Sequence, residues 1–284
     1  MTRTYHVSFP GLGLDMELSP VAFSVGSFSV YWYGIIIATG FMLAVLYCMK
    51  TAKRQRIDPD KFLNSVIVGL ITAIIGARAY YVAFSWSSFR GDFRSIINIH
   101  EGGLAIYGGI IGGLIGGLIT AKIQKAELLP MLDVAATGFL IGQGIGRWGN
   151  FVNLEAFGTQ TDLPWRMVSE NTGGVGVHPC FLYESLWCLL GFTLIHFLLL
   201  KRQRFEGEIF FAYLVWYGFE RTLVEGLRTD SLYLPFADIR VSQLLSGVLF
   251  VTGLALLIVN LVKHRADVPF AAETDSGSGE KTGE

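Results

Sequence analysis

Charged residues are scarce in this chain of 284 residues, and neither sign of charge predominates. Only 16% of the residues are charged, against about 25% in a typical soluble domain, while 52% are apolar and the mean hydropathy is +0.49. The net charge of −1 at pH 7 excludes the strongly basic surface expected of a nucleic-acid-binding protein. The composition therefore argues against a water-soluble domain and against nucleic acid as a partner.

Cysteine is also rare, and the patterns of several enzyme classes are missing. Cys48, Cys180 and Cys188 lie within or beside apolar runs, with spacings typical of neither a metal site nor a secreted disulfide framework. An intramembrane hydrolase would need a Ser or Cys with a His, paired aspartates or a His-Glu-x-x-His motif, and no such set stands out. We therefore expect neither a metal nor another cofactor.

Long uncharged runs are what the chain has instead. A bilayer core requires about 20 mostly apolar residues per helix. Residues 18–49, 102–121 and 241–262 contain no charge and predict three transmembrane helices. Four further segments have a suitable length but contain ionisable residues: about 62–84, 128–147, 180–200 and 208–225. The sequence therefore predicts an all-α integral membrane protein with seven transmembrane helices.

Basic residues favour one orientation of these helices, because short cytoplasmic loops collect Lys and Arg. If the N-terminus is outside and the C-terminus cytoplasmic, every lysine lies on the cytoplasmic side. The basic residues of the outer loops and of the second span are then all arginines, whose planar guanidinium binds phosphate at two points. A weak positive-inside bias combined with chance is the alternative explanation of this pattern.

The ends and loops complete the predicted organisation. Residues 1–17 lack the pattern of a cleavable signal peptide, so the first span is expected to act as the insertion signal. Residues 266–284 are acidic, small and polar, which predicts a disordered cytoplasmic tail after a transmembrane domain of residues 1–265. Only the outer loops 85–101 and 148–179 are long enough to form a small extracytoplasmic head.

Glycine is arranged in columns along two predicted helices. Three columns repeat at four-residue spacing: Gly108, Gly112 and Gly116; Gly109, Gly113 and Gly117; and Gly138, Gly142 and Gly146. Small residues at this spacing let helix backbones approach closely in lipid. A phosphate-binding glycine loop would instead need a preceding strand and a following Lys-Ser/Thr. We interpret the columns as packing surfaces.

Ionisable residues inside the predicted helices indicate a functional site, because they are costly in lipid and usually face a cavity. Arg221, Glu225 and Arg228 are spaced to share one helix face, and Arg221 with Glu225 predicts an ion pair. An arginine held by a carboxylate suits a clamp on a lipid phosphate. The alternative is that the helix ends near residue 220 and these residues lie in interfacial water.

Residues 142–158 are the most polar stretch beside any predicted helix. Arg147, Asn150 and Asn153 share a face if the helix continues, and Gly149 and Gly158 permit close backbone approach or turns. Arg147 alone would also suit a snorkelling anchor. The polar residues that follow it favour a binding site.

The stretch Gly-Arg-Trp-Gly-Asn-Phe-Val-Asn-Leu-Glu, residues 146–155, resembles the signature of the bacterial phosphatidylglycerol-prolipoprotein diacylglyceryl transferases. Further landmarks of that family match at Trp32-Tyr33-Gly34, Gly76-Ala77-Arg78, Glu101-Gly102-Gly103-Leu104, His178-Pro179, Leu182-Tyr183-Glu184, and Arg221 with Glu225 and Arg228. The resemblance covers about residues 18–245. It implies seven spans with the N-terminus outside, in the bacterial cytoplasmic (inner) membrane.

The resemblance also implies an activity. Members transfer the diacylglyceryl group of phosphatidylglycerol to the lipobox cysteine thiol of a prolipoprotein signal peptide, forming a thioether and releasing glycerol phosphate. This is the first step of bacterial lipoprotein maturation, and it makes residues 1–265 a catalytic domain whose other partners are membrane lipids. A polytopic transporter of an anionic or lipid substrate is the alternative, but its usual paired repeats are not visible in the sequence.

The matching residues suggest roles in that reaction, which needs donors on the leaving phosphate and an acceptor for the thiol proton. Arg147 and Arg221 are the predicted phosphate clamp, with Asn150 as a further donor and Glu225 fixing Arg221. Tyr107, Glu155 and Glu101 compete as proton acceptor or orienter. The remaining predicted substrate-binding residues are Tyr33, Arg78 and Gly158.

Two positions depart from the family pattern. Tyr107 stands where many members have histidine, and Cys180 replaces a small hydroxyl residue. A tyrosine phenol, with an ordinary pKa of about 10, donates a hydrogen bond at neutral pH but is a poor base. We therefore expect Tyr107 to act through its hydroxyl as a donor, and we expect Cys180 to be a packing change.

Overall fold

The computed structural model describes residues 4–26, 28–55, 57–89, 93–99, 102–234, 237–267 and 269, and its main elements are helices. The helices are α1 Trp32–Ala52, α2 Pro59–Phe84, α3 Phe93–Ile97, α4 Ile106–Ile123, α5 Leu128–Asn153, α6 Cys180–Leu194, α7 Glu208–Leu227 and α8 Val241–Lys263. The strands are β1 Tyr5–Phe9, β2 Leu14–Leu18, β3 Val21–Val25, β4 Phe28–Tyr31, β5 Val168–Ser169, β6 Tyr233–Leu234 and β7 Ala237–Arg240.

Six helices in the described part of the chain are long and apolar enough to cross a membrane. They are Trp32–Ala52, Pro59–Phe84, Ile106–Ile123, Leu128–Asn153, Cys180–Leu199 and Val241–Lys263. The fifth of these includes a π-helical turn, Ile195–Leu199, directly after α6. The predicted helix at 208–225 is present as α7, but it is not among the six, and three glutamates and an arginine interrupt its apolar residues.

The sequence prediction of a helix from residue 18 is wrong for residues 18–26 and 28–31. These residues form the end of β2 and a hairpin of β3 and β4, and α1 begins only at Trp32. An uncharged run identifies apolar surroundings but not the backbone conformation, and the alternation of Val and Phe with Ser suits a strand. Likewise, α4 begins at Ile106 and not at residue 102, since Gly102 and Gly103 have positive φ angles of 86° and 79°.

A small antiparallel sheet lies at one end of α5. Its strand order is β2-β1-β5, with Val7 paired to Ser169. Val7 belongs to a buried cluster with Phe151 near the end of α5 and Phe181 near the start of α6. The loop 148–179 was predicted to contribute to a head, and it supplies β5. The N-terminal strands that complete the sheet were not predicted.

The chain forms two compact units, one covering residues 49–132 and the other formed by the chain before and after it. In the first unit, α2 and α4 touch along the first glycine column. A Cβ atom on Gly108 would lie 2.3 Å from the carbonyl oxygen of Gly76, and one on Gly112 would lie 2.3 Å from that of Thr72. The neighbouring column packs less closely, because a Cβ atom on Gly109 would lie 3.6 Å from Ala77 Cβ. The packing interpretation is confirmed for these helices.

In the second unit, the third glycine column, on α5, packs against α1. A Cβ atom on Gly138 would lie 2.6 Å from Cys48 Sγ, and one on Gly146 would lie 3.3 Å from Ile37 Cδ1. The start of α7 is fixed to α5 by Asp133, which is fully buried. Its carboxylate accepts hydrogen bonds from the backbone amides of Gly207 and Phe210, at 2.7 and 2.8 Å. Asp133 therefore stabilises the otherwise unpaired amides at a helix N-terminus.

Candidate active site

Three helices of the second unit bring a pair of arginines and two carboxylates together. Glu184 of α6 contacts Nη2 of Arg147 from α5 through its Oε2 atom. The same oxygen lies 2.9 Å from Nη1 of Arg221 on α7. Arg221 Nη2 lies 2.6 Å from Oε2 of Glu225, one helical turn further on. We call Arg147, Glu184, Arg221 and Glu225 the arginine–glutamate cluster, and its Arg221–Glu225 pair confirms the sequence prediction.

Burial makes this cluster unusual for an ion-pair network. The side chains of Glu184 and Glu225 are each 2% exposed, whereas those of Arg221 and Arg147 are 11% and 19% exposed. Removing charges from water is costly, and mutual contacts compensate only when the geometry is good. The formal charges of the four residues cancel, so the cluster can remain buried while the more exposed Arg147 side chain stays accessible.

Glu184 is the central residue of the cluster, and sequence reasoning gave it no role. In the sequence it belongs only to the Leu182-Tyr183-Glu184 landmark. The available signal was its position, because it is an acidic residue within the predicted apolar segment 180–200. An ionisable residue in such a segment requires a partner, and the two nearest predicted polar sites were those of Arg147 and Arg221.

Glu220 is a second buried carboxyl group that was not predicted to belong to the site. It is 5% exposed, and within the described chain neither of its side-chain oxygens has a hydrogen-bond partner. It interacts electrostatically with Glu184, Arg147 and Arg221. Glu220 therefore borders the arginine–glutamate cluster without being tied into it.

Hydrogen bonds outside the cluster hold its three helices in place. The Ser185 hydroxyl donates to the carbonyl of Gly144 at 2.7 Å and accepts from the Trp148 indole at 3.1 Å, which joins α6 to α5. Trp187 of α6 and Trp216 of α7 stack at 4.3 Å, and each indole donates to the other residue's carbonyl at 3.0 Å. These bonds fix the distances that the ion pairs require.

The polar residues after Arg147 continue on the same helix, because α5 extends to Asn153. The amide of Asn150 donates to Oε1 of Glu155 at 2.9 Å, so these two predicted site residues are brought together. Glu155 follows the end of the helix and is exposed, in contrast to the buried glutamates of the cluster. The pair lies less than three turns from Arg147 along the chain.

Tyr33 and Gly158 occupy tight contacts beside these residues. The ring of Tyr33 packs on Gly149, where an added Cβ atom would lie 2.9 Å from the ring. Gly158 donates its N–H to the carbonyl of His178 at 2.9 Å, and a Cβ atom there would lie 2.8 Å from His178 Cβ. A larger residue at either glycine would displace its neighbours.

Arg228 lies at the end of α7 and pairs outside the cluster. It is the C-cap residue with extended backbone, so it does not continue the face of Arg221 and Glu225 as the spacing predicted. Its guanidinium donates to both carboxylate oxygens of Asp230, at 2.9 and 2.6 Å. These hydrogen bonds hold the pKa of Asp230 below its ordinary value.

Arg78 and Tyr107 belong to the unit of residues 49–132. The Arg78 guanidinium donates to the carbonyls of four residues: Ser95, Ile96, Gly102 and Gly103. It also lies over the ring of Phe89 at 5.2 Å. Tyr107 is the second residue of α4 and is half-buried. Glu101 lies outside the described residues.

The three cysteines are buried, and His178 and His196 each contact a tyrosine hydroxyl. All three cysteines are free and buried. His196 Nδ1 lies 2.6 Å from the hydroxyl of Tyr47, and His178 Nδ1 lies 3.2 Å from that of Tyr183. Among the residues that the structure describes, no group of His, Cys, Asp and Glu has the arrangement of a metal site.

Known proteins resemble this chain over most of its length. The profile of the family described as prolipoprotein diacylglyceryl transferase matches residues 20–259. Three relatives, each named phosphatidylglycerol–prolipoprotein diacylglyceryl transferase, come from Finegoldia magna, Pediococcus pentosaceus and Bacillus cytotoxicus. They are 44%, 42% and 43% identical, over 84%, 89% and 90% of this chain and 94%, 94% and 97% of their own lengths.

Proposed function

This chain belongs to the prolipoprotein diacylglyceryl transferase family, and from that membership we propose how it acts. It transfers the diacylglyceryl group of phosphatidylglycerol to the thiol of a prolipoprotein lipobox cysteine, and it releases glycerol phosphate. The observation that carries the proposal is the buried arginine–glutamate cluster, in which Glu184 joins Arg147 and Arg221. No comparison supports the alternative of a transporter.

The lipid phosphate binds first to Arg147. The ion pair with Glu184 uses Nη2 of Arg147, and this guanidinium is the more exposed of the two, at 19% against 11% for Arg221. Arg221 is engaged by two carboxylates and is less exposed, so it has fewer free donors. A guanidinium with free donors binds phosphate oxygens in two places. Arg221 then adds positive charge beside Arg147, and its contact with Glu184 keeps that carboxylate oriented.

The reaction is a displacement at an sp3 carbon. The sulfur of the thiol forms a bond to the glyceryl carbon, the bond from that carbon to the phosphate oxygen breaks, and the electron pair leaves with glycerol phosphate. An ordinary thiol has a pKa of about 8.5 and is mostly protonated at neutral pH, so its proton must be accepted. Positioned donors around the leaving phosphate supply the largest part of such catalysis.

Other predicted site residues take supporting roles. Asn150 holds the exposed Glu155, which suits Glu155 as the proton acceptor, while Glu101 competes for that role and Tyr107 acts as a hydroxyl donor or orienter. Tyr33 shapes the lipid site against Gly149, and Gly158 keeps the loop close to α6. Arg78 donates to the carbonyls of Ser95 and Ile96 in α3 and of Gly102 and Gly103 before α4, which favours a structural role over direct contact with phosphate.

The fold is proposed to cross the bacterial inner membrane seven times. With 20 residues, α7 is about 30 Å long, enough to span the hydrocarbon core. Its Arg221 pairs with Glu184 of α6, Glu220 and Glu225 are buried, and Gly218 packs closely on α8, which favours shielding of its charged groups from lipid. The N-terminus and a small head that includes residues 148–179 lie outside, and the C-terminal tail lies in the cytoplasm.

Labelling of single introduced cysteines tests this orientation. Cysteines in place of Lys53 and Arg202 should be protected from an impermeant thiol reagent in intact cells, whereas one in place of Asp162 should react. All three positions are exposed, and the native cysteines are buried. Reaction at Arg202→Cys in unbroken cells would reject the seven-span arrangement.

The activity itself is tested with the full-length protein in phosphatidylglycerol vesicles and a lipobox peptide. Glycerol phosphate should appear in equal amount to the thioether product, and a peptide with serine in place of the lipobox cysteine should give neither. Glycerol phosphate released without thioether would indicate a hydrolase. Movement of lipid across the bilayer without either product would indicate a transporter.

A further inference from the structure

The hairpin of β3 and β4 has one apolar face and one polar face. Val25 pairs with Phe28, and Phe23 pairs with Val30. Side chains alternate between the two faces of a strand, so these four residues share one face. Ser24 pairs with Ser29 on the opposite face, and their hydroxyls are 2.9 Å apart.

Most of the apolar face of this hairpin is uncovered, since three of its four residues are exposed and Val30 is half-buried. Phe23 is 54% exposed, and Val25 and Phe28 are each 70% exposed. Soluble proteins rarely expose several large apolar side chains side by side, and a patch of this kind marks a contact surface. The polar face carries hydroxyls that already pair with each other, so the two faces suit different surroundings.

The position of the hairpin identifies what covers it. Tyr31 ends β4 and Trp32 begins α1 with no linker, and the backbone amide of Trp32 donates to the carbonyl of Pro20 at 2.9 Å. The hairpin is therefore fixed to the end of a helix that is long and apolar enough to cross a membrane. Tyr31, Trp32 and Tyr33 are all exposed, as is typical of aromatic residues at a membrane interface.

We propose that the apolar face of the β3–β4 hairpin lies in the membrane interface and contacts lipid acyl chains. No charged residue occurs between residues 18 and 49, so nothing in the hairpin opposes insertion. The edges of a two-stranded ribbon carry unpaired backbone groups, which exclude the hydrocarbon core and restrict the hairpin to the boundary of headgroups and chains. Ser24 and Ser29 then face the headgroups and water.

This surface would hold the Tyr33 end of α1 at a defined depth. Tyr33 is the second residue of α1 after the hairpin and packs on Gly149, two residues from Arg147. The proposal does not depend on the transferase reaction, because a lipid-facing hairpin is expected from its own geometry. Its test therefore uses depth in the bilayer, and a failed transfer assay would leave it standing.

Spin labels on adjacent residues test the two faces against each other. The variants Val25→Cys and Ser24→Cys are labelled with a nitroxide in the full-length protein, in vesicles that contain phosphatidylglycerol. The label at residue 25 should be at least several-fold more accessible to oxygen, which dissolves in lipid, than to a water-soluble nickel complex. The label at residue 24 should show the reverse. Unmodified protein provides the background, since its cysteines are buried.

The second strand provides an independent pair, Phe28→Cys and Ser29→Cys, in case one variant does not fold. Equal access of the nickel complex to both faces would place the hairpin in water and overturn the proposal. Exclusion of both oxygen and nickel at residues 25 and 28 would also overturn it. That result would mean that a protein surface, such as a second copy or the substrate peptide, covers the face.

Discussion

The substitution Glu184→Gln tests the centre of the arginine–glutamate cluster. It preserves shape and removes the one negative charge that contacts both arginines. Breaking a buried ion pair by removing one partner costs roughly 3–5 kcal/mol. Arg221 keeps Glu225, whereas Arg147 loses its carboxylate but is 19% exposed, so water relieves part of the loss. We expect destabilisation of about 3 kcal/mol, at the lower end of that range.

This loss should be visible in thermal unfolding of the purified protein in detergent or vesicles. At roughly 2–4 °C per kcal/mol for a chain of this size, the melting temperature should fall by about 10 °C. The transfer rate at saturating lipid should fall by about 100-fold, as expected when donors around the leaving phosphate lose their orientation. Both effects have one cause, so they should appear together.

Glu220→Gln is the matched control. The chemical change is the same and the site borders the same arginines, but Glu220 has no hydrogen-bond partner in the described chain. Removal of an unpaired buried carboxyl relieves a desolvation cost, so the melting temperature should stay the same or rise. The reasoning is refuted if Glu184→Gln melts and transfers like the parent, or if Glu220→Gln loses as much stability.

Three further predictions concern Arg147, Tyr107 and Asp230. Arg147→Lys keeps the charge but loses the planar guanidinium, so transfer should be strongly impaired even in a lipid-saturated assay. Arg228→Lys should lower transfer less, because its partner Asp230 is half exposed. Near-normal transfer by Arg147→Lys would refute two-point binding. Tyr107→Phe should lower transfer by roughly 10- to 1000-fold, while Tyr107→His should keep measurable activity; a phenylalanine variant equal to the parent from pH 6 to 9 would show that the hydroxyl has no chemical role. Arg228 lowers the pKa of Asp230 in the folded protein. The Asp230 carboxylate therefore stabilises the fold above its unfolded pKa of about 3.9, and this contribution is lost as the pH falls through the lower pKa of the folded state. Melting curves from pH 6 to pH 2 should therefore show a smaller acid-induced loss for Asp230→Asn than for the parent, and identical pH profiles would count against the pair.

Features with a local cause could be predicted from the sequence. The Arg221–Glu225 pair follows from helical spacing, and the contacts of Gly108 and Gly112 follow from a four-residue repeat. Each depends on one helix having the expected period, which neighbouring residues largely determine. The family resemblance predicted that Arg147 and Arg221 belong to one site. In the structure both guanidinium groups contact the carboxylate of Glu184.

Features set by distant contacts could not be predicted in the same way. Glu184 is separated from Arg147 and from Arg221 by 37 residues in each direction, so no periodicity links them. The hairpin before α1 could not be predicted from hydropathy. A short apolar run indicates apolar surroundings, but it occurs in strands and in helices alike. The cross-strand pairs, such as Val25 with Phe28, identify the strand conformation in the structure.

The cluster depends on stability that other contacts supply. A neutral set of two arginines and two glutamates contributes little net stability when buried, and Glu220 adds an unpaired carboxyl beside it. The Asp133 cap, the Trp187–Trp216 pair and the Ser185 bonds hold the three helices without using any group of the cluster. The donors on the more exposed guanidinium of Arg147 can therefore stay available for an anionic lipid. A protein that satisfied those donors internally would be more stable, but it would have no guanidinium available for the phosphate.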